Sequence, residues 1–325
     1  MSEPVNDSSP TRIVAVVPCY RERTRIMGVL AAFDECVCHI VVVDDACPEA
    51  TGAYVRETCR DPRVEVIVHE RNKGVGGATL TGYRRAIELG ADIIVKVDGD
   101  GQMDPKFIPT LTRAVAEGRA DYTKGNRFYL MEGLAGMPYM RLFGNLMLSF
   151  ASKLSSGYWK IFDPTNGFTA IHAKVAALLV TRRVDEGYFF ESDMLFHLNL
   201  SRAVVIDVPM KAQYGDERST LSIPKVVAPF LWKHLRNFLR RIVYSYFIRD
   251  FSVASVELVF GSLLFAFGVV YGSIHWYESL ESGIAEPTGV VVLAAVTFLL
   301  GVYLLIGFLN FDIQNQPENP LHRNL

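Results

Sequence analysis

Ile93-Ile94-Val95-Lys96-Val97-Asp98-Gly99-Asp100-Gly101-Gln102 is the stretch from which the fold can be read. A run of mostly β-branched residues ends abruptly in two carboxylates spaced i, i+2, with a carboxamide at i+4. Side chains alternate between the faces of a strand, so i, i+2 and i+4 point the same way. If the extended geometry continues past Val97, Asp98, Asp100 and Gln102 offer oxygens to one point. Hard divalent cations such as Mg²⁺ and Mn²⁺ take such ligands and often hold phosphates beside them. Gly99 leaves room for the close approach of a ligand. The competing outcome for paired aspartates after a strand is turn formation or helix capping.

Working outward, Ile13–Val17, Ile40–Val43 and Val64–Val68 are also short, β-branched and apolar on both faces. Such runs suit buried parallel strands. Arg25–Phe33, Thr51–Cys59 and Ala78–Leu89 between them read as helices. The alternation predicts an α/β chain with a doubly wound, mostly parallel sheet. Ligands of such sheets bind at the carboxyl ends of strands. Pro18-Cys19-Tyr20, Asp44-Asp45 and Asp98-x-Asp100 fall there. Further on, Tyr122–Phe128 and Val204–Val208 read as strands, and Met137–Leu154, Lys174–Thr181 and Ser192–Leu200 as helices. Asn72-Lys73-Gly74-Val75-Gly76-Gly77 precedes a helix. It is either an anion site built from helix N-terminal amides or a loop that needs glycine to enter the helix. The Walker spacing is absent.

The chain has 325 residues and a formal net charge of −2, a balance that excludes general nucleic-acid binding. Mean hydropathy is +0.19, and the apolar excess is concentrated after Phe251. Five cysteines, an odd number, all lie before residue 60 and lack zinc spacing; they read as buried free thiols in a reducing compartment. Residues 1–11 read as a disordered tail without a signal-peptide core, so the α/β domain, 12–221, is expected to stay in the cytoplasm. Residues 222–251 interleave Lys225, Lys233, Arg236, Arg240, Arg241 and Arg249 with aromatics, as in helices lying at a membrane surface. Residues 252–312 contain two apolar stretches, Val253–Tyr277 and Thr288–Phe311, each long enough to cross ~30 Å of hydrocarbon. Their link has three glutamates and no Lys or Arg. The positive-inside rule then gives a multi-pass protein of the cell inner membrane, with both termini, including the tail 313–325, in the cytoplasm. Glu257 falls within the first span.

Val17-Pro18-Cys19-Tyr20-Arg21-Glu22, Val43-Asp44-Asp45, Asn72-Lys73-Gly74 and Asp98-Gly99-Asp100-Gly101-Gln102 resemble the motifs of family 2 glycosyltransferases of GT-A fold. Gly125-Asn126-Arg127, Asp163-Pro164-Thr165-Asn166-Gly167-Phe168 and the two terminal spans narrow the resemblance. It points to the polyprenyl-phosphate hexosyltransferases, the group of dolichol-phosphate mannose synthase and the bacterial undecaprenyl-phosphate glucosyltransferases. The resemblance implies that Pro18, Tyr20, Glu22, Asp44 and Asp45, with Asn72, Lys73, Gly74, Asp98 and Gly99, hold the nucleotide sugar. It implies Asp98, Asp100 and Gln102 as ligands of Mg²⁺ or Mn²⁺, and Arg127, Arg141 and Asn145 as the grip on an acceptor phosphate. Glu191-Ser192-Asp193 stands where many inverting relatives keep a base. A phosphate acceptor is already largely ionised, since its second pKa is near 6. Asp163 and Asp193 would then orient arginines or the sugar. The family's usual asparagine is Arg21 here, and of its basic loop only Arg218 remains, with Lys225 as the nearest lysine.

The resulting expectation is inverting transfer of a hexose from a nucleotide sugar to a polyprenyl phosphate at the membrane. The bacterial-looking tail favours a UDP- over a GDP-sugar. The alternatives are a family 2 transferase with a sugar hydroxyl as acceptor, for which Asp193 would be the base, and a non-catalytic nucleotide-sugar-binding protein. Homo-oligomer formation is compatible with each.

Overall fold

The computed structural model describes residues 11–129, 139–211 and 223–325. The first compact unit contains a seven-stranded sheet in the order β3-β2-β1-β4-β6-β5-β7. The strands are β1 (Ile13–Cys19), β2 (Val37–Asp44), β3 (Val64–Val68), β4 (Ile93–Lys96), β5 (Tyr122–Asn126), β6 (Thr169–His172) and β7 (Val205–Pro209). Only β6 runs against the rest: it pairs antiparallel with β4 and β5, while the other pairings are parallel. Chain order reverses between β1 and β4, which makes a crevice at their carboxyl ends.

Helices cover both faces, which is why the strands are apolar on both. Alternate residues of β1, Ala15 and Val17, pack with Ile26 and Leu30 of α1 (Ile26–Ala31), Val55 of α2 (Thr51–Thr58) and Leu111 of α4 (Ile108–Ala116). Val14 and Val16 face the other way. They join Leu80 and Tyr83 of α3 (Gly74–Glu88), Val175 of α6 (Ala173–Leu179) and Met194 of α7 (Phe190–Leu200). β6 is the strand the sequence pattern does not announce: its Thr-Ala-Ile-His lacks the apolar β-branched run that marks β4. Of the cysteines, all free, only Cys19 is buried and Cys36 is exposed, so the expected burial holds for one thiol.

α5 (Tyr139–Ser156) and α8 (Ile223–Val243) complete the helices before the apolar segment. The C-terminal residues Pro317–Leu325 return to the first unit rather than forming a separate tail. There the buried Asp121 carboxylate accepts hydrogen bonds from the amides of Val204, Leu321 and His322 at 2.7, 2.7 and 2.8 Å. The His322 ring Nδ1 lies 2.6 Å from the same carboxylate, and this ring stacks on that of His172.

The second unit, 239–316, contains α9 (Val253–Ser282) and α10 (Thr288–Gln314), both long and apolar enough to cross a membrane. Asp312 receives two guanidinium bonds from Arg241, at 2.5 and 3.0 Å, and the Tyr246 hydroxyl at 2.6 Å. Glu257 lies where Gly307 lacks a side chain: a Cβ there would stand 2.9 Å from its carboxylate.

Candidate functional site at the carboxyl edge

β4 ends at Lys96, two residues before the first aspartate, so Asp98–Gln102 is a turn and not a continued strand. The Asp100 carboxylate closes the turn by accepting the Gln102 amide at 2.9 Å. The expectation of three side chains aligned by strand alternation is corrected on this point. Alternation survives one step: Lys96 and Asp98 lie on the same side, with Nζ and Oδ1 2.7 Å apart.

Glu22, from the segment after β1, belongs to this cluster. Burial, and next the charge of Asp100, push its carboxyl up to about 7. Burial, with a contribution from Asp98, also raises Asp100. Crowded carboxylates of this kind are relieved by a divalent cation. Asp98, Asp100 and Gln102 supply hard oxygen donors, so the residues fit such an ion.

Asp44 and Asp45 are placed differently. Asp44 is buried and accepts the amides of Cys47 and Gly52 at 2.7 and 2.6 Å, which fixes the entry to α2. Asp45 accepts the amides of Lys73 and Gly74 at 2.8 and 2.7 Å, and its Oδ1 lies 2.7 Å from His69 Nδ1. Asn72 donates to the Asp45 carbonyl at 3.2 Å. The Glu186 carbonyl takes the amides of Gly76 and Gly77 at 2.8 and 3.1 Å. The loop before α3 therefore uses these amides within the fold, and the helix-entry alternative describes it. An open cavity of about 650 Å³ lies beside it, lined by Val68, His69, Glu70, Arg71 and Lys73.

Pro18 is paired within the sheet and Tyr20 is exposed just past β1. Arg21 adopts a left-handed backbone with φ 64°, and its amide donates to Cys47 Sγ at 3.0 Å. Asparagine tolerates that conformation better than arginine, which gives a physical reason for the asparagine usual in the resembling family.

On the other side of the sheet, Arg127 follows β5. Its Nε and Nη2 donate to the two oxygens of the buried Asp163 at 2.8 and 3.0 Å. Such a bidentate fork fixes the guanidinium plane. The Asp163–Phe168 loop leads into β6, whose reversal brings it to this edge. Asn145 is half-buried on α5, where Arg141 also falls; the Arg141 side chain and Arg218 lie outside the described residues.

Both members of the acidic pair on α7 have partners within the protein. Asp193 is 3% exposed and accepts the Asp185 amide at 2.8 Å and the Asn237 side chain at 2.7 Å. Its carboxylate ties α7 to the preceding loop and to α8. Glu191 meets Lys96 Nζ at 3.1 Å. Positions two apart on a helix do not share a face, which is why the pair divides. Sequence reasoning left out Lys96. The signal was an ionisable residue in an otherwise apolar run. His69 was missed as well.

Comparisons with known proteins add the following. The model of Glycosyl transferase family 2 matches residues 14–179. The UDP-N-acetylglucosamine–dolichyl-phosphate N-acetylglucosaminyltransferase of Methanococcus voltae is 30% identical over 218 residues, 63% of this chain and 86% of that protein. The undecaprenyl-phosphate mannosyltransferase of Micrococcus luteus is 28% identical over 203 residues, 61% of this chain and 82% of that protein. Among solved structures, glucosyl-3-phosphoglycerate synthase from Mycobacterium tuberculosis, in complex with Mn²⁺, UDP and phosphoglyceric acid, superposes with a TM-score of 0.53 at 18% identity. That match covers 71% of this chain and 78% of the other, and it is a likeness of fold.

Proposed function

Because this chain belongs to glycosyltransferase family 2, we propose that it transfers a hexose from a nucleotide sugar to a polyprenyl phosphate, with inversion. The named relatives that act on dolichyl and undecaprenyl phosphates support this acceptor class. The observation that carries it is the state of the α7 carboxylates. Glu191 is paired with Lys96, and Asp193 is bonded to Asp185 and Asn237. A hydroxyl acceptor needs a base to take its proton. A phosphate monoester, ionised above its second pKa near 6, needs none.

The chain's residues divide the work as follows. Asp98, Asp100 and Gln102 would hold Mg²⁺ or Mn²⁺, which when bound neutralises charge developing on the departing diphosphate. Glu22, beside Asp100, adds to the negative field that attracts the ion. Tyr20, Asn72 and Lys73 stand at the edge where the nucleotide would lie. Arg127, its plane set by Asp163, presents guanidinium N–H groups to the acceptor phosphate. Arg141 and Asn145 on α5 would assist it, and Arg218 would serve the donor diphosphate. UDP is the favoured base carrier, as in the donor named for the Methanococcus relative.

α9 and α10 would anchor the enzyme in the inner membrane. Both ends of that hairpin join the first unit, where Asp121 secures Leu321 and His322. This supports a hairpin that leaves from and returns to one side, with the basic flank marking that side as cytoplasmic. The test is a panel of nucleotide sugars with purified full-length protein, Mn²⁺ and undecaprenyl phosphate. A new lipid with the mass of undecaprenyl-phosphate-hexose supports the proposal. No product from any UDP- or GDP-hexose contradicts it.

A further inference from the structure

Lys96 is an ammonium in the interior, with its side chain 1% exposed at the end of β4. An unpaired charge there would cost several kcal/mol of desolvation. The structure pairs it twice, with Asp98 Oδ1 at 2.7 Å and Glu191 Oε1 at 3.1 Å, and brings the Gly167 carbonyl to 3.5 Å. Burial alone would lower its pKa, but Asp98 and Glu191 raise it above the ordinary lysine value. Three separate segments meet at this one group: the turn after β4, the Asp163–Phe168 loop and the first turn of α7.

Gly167 shows how closely they fit. A Cβ there would collide with Lys96 Nζ and stand 2.5 Å from Asp98 Oδ2. One Asp98 oxygen is therefore held by the ammonium and the other lies against backbone. Asp100 is not bonded to Lys96; it lies by Glu22 and feels Lys96 and Arg25 only through their charges. The two aspartates of one short motif thus sit in different electrostatic settings.

We infer that Lys96 is a positioning residue that competes with the divalent cation for Asp98, and that Glu191 sets the strength of that competition. The inference rests on the donor-site reading above. With Lys96 in place, Asp98 is tethered to the sheet and partly neutralised, while Asp100 is not bonded to the ammonium. Glu191 draws part of the ammonium's field toward α7. Charge on α7 is in this way coupled to the affinity of the cation site.

The test uses full-length protein in detergent, stripped of metal and titrated with Mn²⁺ in the presence of UDP, with free Mn²⁺ counted by electron paramagnetic resonance. The double variant Lys96→Met with Glu191→Gln removes one charge of each sign. It is expected to bind Mn²⁺ about tenfold tighter, because an Asp98 oxygen is released at the cation site. Glu191→Gln alone keeps the ammonium and turns its full charge on Asp98. It is expected to bind Mn²⁺ weaker, by about threefold to tenfold. In transfer assays the double variant should lose kcat without a rise in donor KM, since Asp98 is no longer tethered.

Affinities within twofold of the unmodified protein for both variants, or changes of the same sign, would overturn the inference and leave Lys96 a structural ion pair. So would the absence of Mn²⁺ binding by the unmodified protein. If the double variant does not fold, as judged by its thermal transition, the single Glu191→Gln titration decides. Intact Mn²⁺ binding without any lipid product would count against the proposed reaction and not against this coupling.

Discussion

The amino and carboxyl edges of the sheet hold carboxylates in opposite situations. At the amino edge, Asp121 is fully enclosed and both its oxygens are saturated, by three amides and the His322 ring. At the carboxyl edge of the same sheet stand Glu22, Asp98 and Asp100, and burial, followed by the charge of Asp100, raises Glu22 to about 7. The first arrangement satisfies every lone pair from within and is a fastening. The second gathers negative charge that Lys96 and Arg25 offset in part, at a place where a cation would fit. Asp44, Asp45 and Asp193 are of the first kind although they belong to segments with functional resemblance. Partners, and not residue type or motif membership, separate the two.

Substitutions at the two edges should break different things. The largest effect is expected for Asp100→Ala, which should lower kcat about 10³-fold while the thermal transition stays in place, because in the proposed reaction Asp100 helps to hold the cation that stabilises the leaving group. A rate assay beside a thermal melt separates the two quantities. Asp121→Ala should do the reverse. It strands three amides and an imidazole and should cost about 3 kcal/mol of stability, read as a lower denaturant midpoint, with kcat of the folded protein unchanged.

Arg127→Lys is a smaller probe of the carboxyl edge. It keeps the charge beside Asp163 but loses the fork, and should raise KM for the polyprenyl phosphate about tenfold with donor KM unchanged. The smallest effect concerns pH at the amino edge. Burial, then the neighbouring His322 and Lys174, push the His172 imidazole down to about 4, against the pull of Asp121 and Asp92. A lowered imidazole pKa means that the unfolded chain binds the proton more readily. The stability it contributes is therefore present above about 6.5 and is lost as pH falls toward 4. Thermal melts across that window should show the decline, and His172→Gln should flatten it.

Much of this was legible in the sequence. The parallel strands announced themselves because helices cover both faces of the sheet, so Val14 and Val16 are as apolar as Ala15 and Val17. Asp98 and Asp100 stood out because carboxylates at the end of such a strand fall on the ligand-binding edge. β6 was hidden because Thr169-Ala170-Ile171-His172 lacks the apolar β-branched run that marks β4, although the two are equally short. The part played by Asp193 was hidden because its partners, Asp185 and Asn237, lie on other segments, and only tertiary packing brings them together. Lys96 was visible as an odd residue in an apolar run, but its two anionic partners come from segments 2 and 95 residues away. No local pattern reports the second.

The central claim is that the carboxyl edge serves an acceptor that arrives already ionised. It is tested most directly by giving the purified protein, with Mn²⁺ and its preferred nucleotide sugar, either undecaprenyl phosphate or the uncharged alcohol undecaprenol. Product masses would be read from the lipid extract. Glycosylated lipid from the phosphate alone is the predicted result. Transfer to the alcohol at a comparable rate would contradict the account, because it would require a base that Glu191 and Asp193, as they are paired here, do not provide.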